Sequence, residues 1–217
     1  MGKSKIIVLI PSHNEYLSLK KLLPQLKKKY DFLVINDFSK DKTEKYLKSE
    51  KFRYLNNDKH FGYEKSILNG MNYILRNFKK KEYIITFDAD NEHKIKDISK
   101  FVTIIKKKNI DLLIGQRNSF NRFLEKIISL IFEKNFHLRD PISGFKLYNT
   151  QVLKKNLRNV KKNLFLVDLT TLILKKNSAS NVLVNVNKRI DSPRIGNYMK
   201  VNFKLLKIIF FLLFLKN

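Results

Sequence analysis

Three short polar runs in this chain follow three apolar ones, and each carries acids or amides. Pro11-Ser12-His13-Asn14-Glu15 follows Lys5 to Ile10. Asn36-Asp37-Phe38-Ser39-Lys40-Asp41 follows Phe32 to Ile35, and Asp88-Ala89-Asp90-Asn91-Glu92-His93 follows Tyr83 to Phe87. Carboxylates crowded together repel unless a cation or hydrogen-bond donors neutralise them. Hard oxygen ligands in a chain without Cys suit Mg²⁺ or Mn²⁺, which commonly take one or two carboxylates together with phosphate oxygens. Each run alone has a plainer use. Ser39 or Asp41 can cap a helix, and Glu15 can favour a helix N-terminus. All three on one rim would make a site.

The elements that must position them alternate. A strand from Lys5 to Ile10 precedes a helix with apolar Leu19, Leu22, Leu23 and Leu26. Phe32 to Ile35 reads as a second strand, followed by a polar helix from about Asp41 to Ser49, and Phe52 to Leu55 as a third strand. A helix from Tyr63 to Phe78, a strand from Tyr83 to Phe87, a helix from Ile95 to Lys107 and a run from Leu112 to Gly115 follow. This alternation predicts an α/β fold, a mostly parallel sheet with helices on both faces. In such sheets ligands sit outside the carboxyl ends of the strands, where the three polar runs lie. The second half is less regular. Asn121 to Phe136 reads as an amphipathic helix, Asp140 to Phe145 as a turn, Leu164 to Lys175 as a helix and Val182 to Val186 as a half-buried strand. Lys188 to Lys200 reads as a basic loop.

Composition excludes several chemistries. The chain of 217 residues has no Cys, so disulfides, thiolate metal sites and Cys nucleophiles are ruled out. Its 6 glycines are never close together, which excludes a P-loop and a dinucleotide G-x-G-x-x-G. The net charge of +26 points to an anionic partner: nucleic acid, phosphate ligands or an anionic membrane. Part of it reflects lysine richness beside many Ile, Asn and Phe residues, a solvated face with no message. The basic residues are spread along the chain without a nucleic-acid-binding motif, which argues against nucleic acid as partner. The apolar run after Lys3 and Lys5 stops at Pro11, so it reads as a buried strand, not a signal-peptide core. Ile208 to Leu215 is apolar without a break. It is too short for a span of about 20 residues. A core helix, an interfacial anchor and part of a longer hydrophobic tail are its three readings.

Six motifs together resemble family 2 glycosyltransferases. Pro11-Ser12-His13-Asn14-Glu15 is similar to their P-x-x-N-E opening, Val34-Ile35-Asn36-Asp37-Phe38-Ser39 to V-V-D-D-G-S, and Phe87-Asp88-Ala89-Asp90 to the D-x-D strand end. Ile114-Gly115-Gln116-Arg117 resembles G-S-R, Asp140 to Lys146 resembles D-x-x-S-G-F-[RK], and Arg189 to Gly196 resembles the late R-x-x-G basic loop. The order is right from Pro11 to Gly196. Within the family the pattern looks like dolichyl- and polyprenyl-phosphate sugar synthases. Asn36 stands where an Asp is usual, Phe38 where Gly is usual, and Glu92 where that subgroup often has Gln. Phe38 is therefore expected to reshape its turn, since it lacks glycine's freedom at positive φ.

The resemblance implies a GT-A type fold, with a Rossmann-like nucleotide-binding half and an acceptor half, an NDP-sugar donor (UDP- or GDP-linked), Mg²⁺ or Mn²⁺, and inverting transfer. Pro11, His13, Glu15 and Asp37 would line the nucleotide pocket. Asp88 and Asp90 would meet the metal–diphosphate unit, with Glu92 a third ligand. Arg117, Arg122 and Arg139 are candidates to hold an acceptor phosphate, and Ser129 could reach it. Asp140 would orient the acceptor, act as a base or simply shape the turn. Arg189 or Arg194 would close over the diphosphate. A lipid phosphate, anionic at neutral pH, can attack unaided, whereas a sugar hydroxyl needs a base.

The leading expectation is sugar transfer from an NDP-sugar to polyprenyl (dolichyl or undecaprenyl) phosphate. The alternatives are transfer to a saccharide hydroxyl in surface-polysaccharide synthesis, an inactive family member and, distantly, a basic nucleic-acid-binding module. The expected division is a catalytic domain over 1–198 and a membrane-associating segment over 199–217, with Lys200, Lys204 and Lys207 preceding the apolar run. That places the protein in the cytoplasm, peripheral on the inner face of the cell membrane. A membrane-protein partner or a homo-oligomer stays open.

Overall fold

The computed structural model describes residues 5–90, 93–120, 122–160, 164–186 and 198–215. Seven strands form one sheet: β1 (Ile6–Ser12), β2 (Asp31–Asn36), β3 (Tyr54–Asn56), β4 (Tyr83–Thr86), β5 (Leu112–Arg117), β6 (Lys146–Asn149) and β7 (Ala179–Val184). Their order is β3-β2-β1-β4-β6-β5-β7. Every pairing is parallel except those of β6, which runs antiparallel to both β4 and β5. The helices are α1 (Tyr16–Lys27), α2 (Thr43–Ser49), α3 (Tyr63–Asn77), α4 (Ile95–Lys107), α5 (Phe123–Phe136), α6 (Thr150–Asn156), α7 (Phe165–Leu174) and α8 (Tyr198–Leu213).

Two core layers explain the near-continuous apolar strands. In β1, Ile6, Val8 and Ile10 face a layer built with Leu19, Leu22, Leu23 and Leu26 of α1 and with Ile98 and Phe101 of α4. Ile7 and Leu9 face the other layer, with Ile67, Met71 and Ile74 of α3. Side chains alternate across a strand, so a sheet covered on both faces needs apolar residues at every position. Gly70 lets α3 lie close to this sheet, because a Cβ there would come within 2.3 Å of a Leu9 methyl.

The second half departs from the expected elements in three places. β6 and α6 occupy residues for which the sequence pattern predicts no element, and β7 starts at Ala179, three residues before Val182. β6 has only four residues, and its polar Lys146 and Asn149 break the apolar pattern. Its position between β4 and β5 carries the Asp140–Phe145 turn to the strand ends. Residues 198–213 form a helix that packs on the domain: Leu205, Ile208 and Leu212 join the core layer of α5 and α7. Its other face leaves Phe203, Leu206, Phe210 and Leu213 exposed. Among the described residues no helix is long and apolar enough to cross a membrane.

Candidate active site

The carboxyl ends of β1, β2 and β4 meet at one cavity. Pro11, Ser12, His13, Glu15, Asp37, His60, Tyr63, Ser66, Asp88, Ala89 and Asp90 line it. The four residues expected at the nucleotide and the two aspartates expected at the diphosphate are thus brought together.

Asp37 is the most heavily bonded of them. It is buried, and its Oδ1 accepts from the Phe61 N–H at 2.9 Å and from Asn57 Nδ2 at 2.8 Å. Its Oδ2 accepts from the Gly62 N–H at 2.8 Å and lies 2.9 Å from His60 Nδ1. Burial alone would raise this carboxyl. The donors from Phe61, Asn57, Gly62 and Ser66 outweigh burial and hold it below the ordinary carboxylate range. His13 Nδ1 lies 2.6 Å from the Asp37 carbonyl, which can only accept, so Nδ1 carries the proton. The His13 and His60 rings lie 4.1 Å apart between centroids.

The loop after β2 keeps its turn without glycine. Phe38 takes φ 59, the left-handed conformation open to glycine, so a non-glycine residue has not forced the backbone to an ordinary φ here. Asn36 supports the turn by accepting from the Ser39 N–H at 3.3 Å, while its Nδ2 donates to Asn56 at the end of β3. Lys40 Nζ sits 3.6 Å above the Phe38 ring.

Asp88 occupies a tight corner. Tyr63 donates its hydroxyl to Asp88 Oδ1 at 2.7 Å, and His93 Nε2 lies 3.6 Å from Asp88 Oδ2. Desolvation of its hydroxyl, then the charges of Asp88 and Asp90, holds the Tyr63 phenol well above its ordinary range, so it stays a donor at neutral pH. A Cβ on Gly144 would stand 2.6 Å from both Asp88 oxygens and 2.4 Å from the Tyr63 hydroxyl. Only glycine fits there without displacing the carboxylate. Asp90 is 8% exposed.

Asp88 and Asp90 also line a second, larger cavity of ≈ 620 Å³. Its polar side carries Arg117, Arg122, Lys65, Lys204 and Glu64. Its apolar wall is Ile142, Leu166, Val167, Val201, Leu205 and Ile208, so α7 and α8 both contribute. Glu64 accepts from Lys204 of α8 and from the Leu166 N–H of α7, tying both helices to the start of α3.

Arg117 is held in a fork. Its Nε and Nη2 donate to the two oxygens of Asp140 at 2.8 and 2.9 Å, and Nη1 lies 3.1 Å from Glu125. Burial would weaken the guanidinium's hold on its proton, but Asp140 and Glu125 more than reverse this. Asp140 itself is 0% exposed, accepts the Arg117 N–H as well, and does not line the cavity. It therefore positions Arg117, and the reading of Asp140 as a base facing the acceptor has no geometry behind it. Ser129 is likewise turned to structure: its hydroxyl accepts the Asp140 N–H at 3.2 Å. Arg122 joins the larger cavity and pairs with Glu125 at 3.0 Å. Arg139 does not join it; it is exposed and pairs with Glu133 at 2.7 Å. Glu92, Arg189 and Arg194 lie outside the described residues.

Sequence reasoning passed over Asn57, His60, Gly62 and Tyr63. They follow β3, whose polar end at Asn56 lies beside that of β2, and the carboxyl-end rule applied to β3 points to them.

Among the described residues, His13, Asp37 and His60 have ligand atoms within 4.8 Å of one another. The Asp37 carboxylate is already held by the Phe61 and Gly62 N–H groups, Asn57 and His60, so a cation there would compete with those hydrogen bonds.

Residues 7–159 match the profile of Glycosyl transferase family 2. The chain belongs to glycosyl transferase family 2. It is therefore an enzyme of that family, with the α/β sheet of GT-A glycosyltransferases. It is 32% identical over 169 residues to MJ0544 of Methanocaldococcus jannaschii, a protein of uncharacterised function, covering 69% of this chain and 73% of that one. It is 27% identical over 184 residues to CsbB of Bacillus subtilis, described as a candidate glycosyltransferase, covering 76% of this chain but only 54% of that protein. Among solved structures it resembles glucosyl-3-phosphoglycerate synthase of Mycobacterium tuberculosis in complex with phosphoglyceric acid. That likeness has a TM-score of 0.72 at 13% identity and covers 96% of this chain and 79% of the other. The same enzyme with Mn²⁺, UDP-glucose and phosphoglyceric acid gives a TM-score of 0.70 at 13% identity, over 94% of this chain and 79% of that chain. At this identity the likeness speaks for the fold.

Proposed function

We propose that this enzyme transfers a sugar from a nucleoside-diphosphate sugar to a polyprenyl phosphate, with inversion at the anomeric carbon. The observation that carries this reading is the larger cavity, where arginines and an apolar wall of α7 and α8 flank the same Asp88–Asp90 corner that closes the nucleotide side. An acceptor with an anionic head and an apolar body matches that division.

Each group then has a task. Pro11, His13, Glu15 and Asp37 hold the nucleotide, with His60 beside them. Asp88 and Asp90 would hold Mg²⁺ or Mn²⁺. The fit rests on two carboxylates lining one corner, on Gly144 leaving room at Asp88, and on oxygen donors suiting these hard ions. Bound there, the ion would neutralise charge developing on the departing diphosphate. Glu92 and one of Arg189 and Arg194 are proposed to complete this side. Arg117, with Arg122, binds the acceptor phosphate. Arginine's planar fork offers five N–H donors, and Asp140 and Glu125 together engage only part of that set. A phosphate oxygen is already anionic and attacks the anomeric carbon while the bond to the diphosphate breaks, so no base is required.

The outer face of α8 supports peripheral binding to an anionic membrane. Phe203, Leu206 and Phe210 are exposed beside Lys200 and Lys207, and no acid occurs in the helix. This would put the cavity wall formed by α8 at the depth of a lipid phosphate.

The test incubates the protein with radiolabelled UDP- and GDP-sugars and Mn²⁺, with and without polyprenyl phosphate. Label entering the organic phase only with the lipid supports the reading, and Asp90→Asn or EDTA should abolish it. Label on a water-soluble saccharide, with none in the lipid extract, rejects it in favour of a hydroxyl acceptor.

A further inference from the structure

We propose that Lys146 is a positioning residue for Arg117, fixing the turn that carries Asp140. This builds on the reading of Arg117 as holder of the acceptor anion.

Lys146 opens β6, and its side chain is 0% exposed in the middle of the sheet. Burying an amine among apolar groups is unfavourable, and a methionine of similar length would fill the space at lower cost. The amine has a specific use here: Nζ donates to the carbonyl of Pro141. Pro141 follows Asp140, which sits at φ 58 in the left-handed region, a conformation that Asp tolerates better than most residues but that still costs it more than glycine. A strained residue persists only when its surroundings over-determine it. Contacts on both sides do so: Ser129 of α5 accepts the Asp140 N–H at 3.2 Å, the Ser143 N–H donates to the Asp140 carbonyl at 3.1 Å, and Lys146 of β6 holds the Pro141 carbonyl. Asp140, fixed in this way, takes Arg117 in its two-pronged grip at 2.8 and 2.9 Å. The chain of contact runs from the sheet through Lys146, the Pro141 carbonyl and Asp140 to Arg117 at the cavity.

The charges facing the amine are Asp140, Glu64 and Arg117. Burial lowers its pKa most, Asp140 and Glu64 oppose this, and Arg117 adds to it, leaving it at about 7. The group thus titrates in the neutral range, beside the ion pair it supports.

The experiment compares wild type with Lys146→Met by following the Arg117 Nε–H resonance in ¹⁵N NMR, with calorimetric titration of UDP in the presence of Mn²⁺. The expected result is an Arg117 Nε–H that exchanges with solvent at least about tenfold faster in the variant, the size of one lost hydrogen bond to a charged group. UDP affinity should be unchanged, because Lys146 lines neither cavity. With polyprenyl phosphate as acceptor, the acceptor KM should rise while the donor KM holds, and any inflection of acceptor kcat/KM near neutral pH should flatten. An Arg117 resonance with the same exchange rate in both proteins overturns the proposal. If Lys146→Met does not fold, Lys146→Gln carries the same comparison, since its amide nitrogen stops one bond short of the Nζ position. If wild type transfers nothing to polyprenyl phosphate, the acceptor reading falls, while the Arg117 signal still decides the role of Lys146.

Discussion

Replacing Gly144 by Ala probes the corner on which both cavities depend. The added methyl would stand 2.6 Å from each Asp88 oxygen and 2.4 Å from the Tyr63 hydroxyl. Comfortable contact needs about 3.5 Å, so either the carboxylate and phenol withdraw by about 1 Å or β6 does. β6 is hydrogen-bonded on both sides, to β4 and β5, and Thr86 donates its hydroxyl to the Gly144 carbonyl at 2.6 Å. The carboxylate is the softer partner. A displacement of about 1 Å in a positioned reactive group can cost about 10²-fold in rate. Overpacking of one methyl costs about 1–3 kcal/mol of stability at most sites, and here part of that strain is relieved at the cavity surface. Gly144→Ala should therefore lower kcat/KM about 10²-fold and weaken Mn²⁺-dependent UDP binding, while thermal unfolding remains cooperative with a modest drop in Tm. Adding Tyr63→Phe removes the 2.4 Å contact and should recover part of the loss. Steady-state assay with calorimetry of UDP and Mn²⁺ reads all three quantities. Wild-type kcat/KM in Gly144→Ala would refute the assignment of Asp88 to the diphosphate side. So would a loss of activity with metal-dependent UDP binding intact.

Three further outcomes follow from the same geometry. Arg117→Ala should raise the acceptor KM about ten- to a hundredfold with UDP affinity preserved, the loss expected for one charge-assisted contact; weakened UDP binding with unchanged acceptor KM would contradict it. Asp37 has a carboxyl held below its unfolded value, so the unfolded chain binds the extra proton as pH falls; its stabilisation is present above about pH 4 and is lost progressively below it. Melting curves across the acid range should therefore show a weaker acid dependence in Asp37→Asn than in wild type, from a lower starting Tm. Placing acids on the apolar outer face of α8, as Phe203→Glu with Phe210→Glu, should abolish flotation with anionic vesicles at moderate salt and leave the Tm within the range of surface substitutions; equal flotation of both proteins would remove the membrane face.

The alternating strands and helices of the first half and the rim residues His13, Glu15, Asp37, Asp88 and Asp90 were legible in the linear chain. The reason is physical: a parallel strand buried on both faces must be apolar at every position, so its polar end is conspicuous, and local periodicity carries that information. Tertiary structure alone decided the rest. β6 is short, carries a buried lysine and runs against its neighbours, and its pairing with β4 and β5 depends on contacts far apart in sequence. Asp140 had three readings in the chain, acceptor-orienting group, base or turn former, until the fold set it opposite Arg117 as a holder of the arginine. Arg117 and Arg139 were both candidates for the acceptor phosphate, and packing turned Arg139 to solvent beside Glu133 and Arg117 into the cavity. The unbroken apolar run of α8 has no polar stripe to mark its buried side. Only its packing against α5 and α7 divided it into a face that walls the larger cavity and a face that remains exposed, because burial is settled by neighbours that the run itself does not encode.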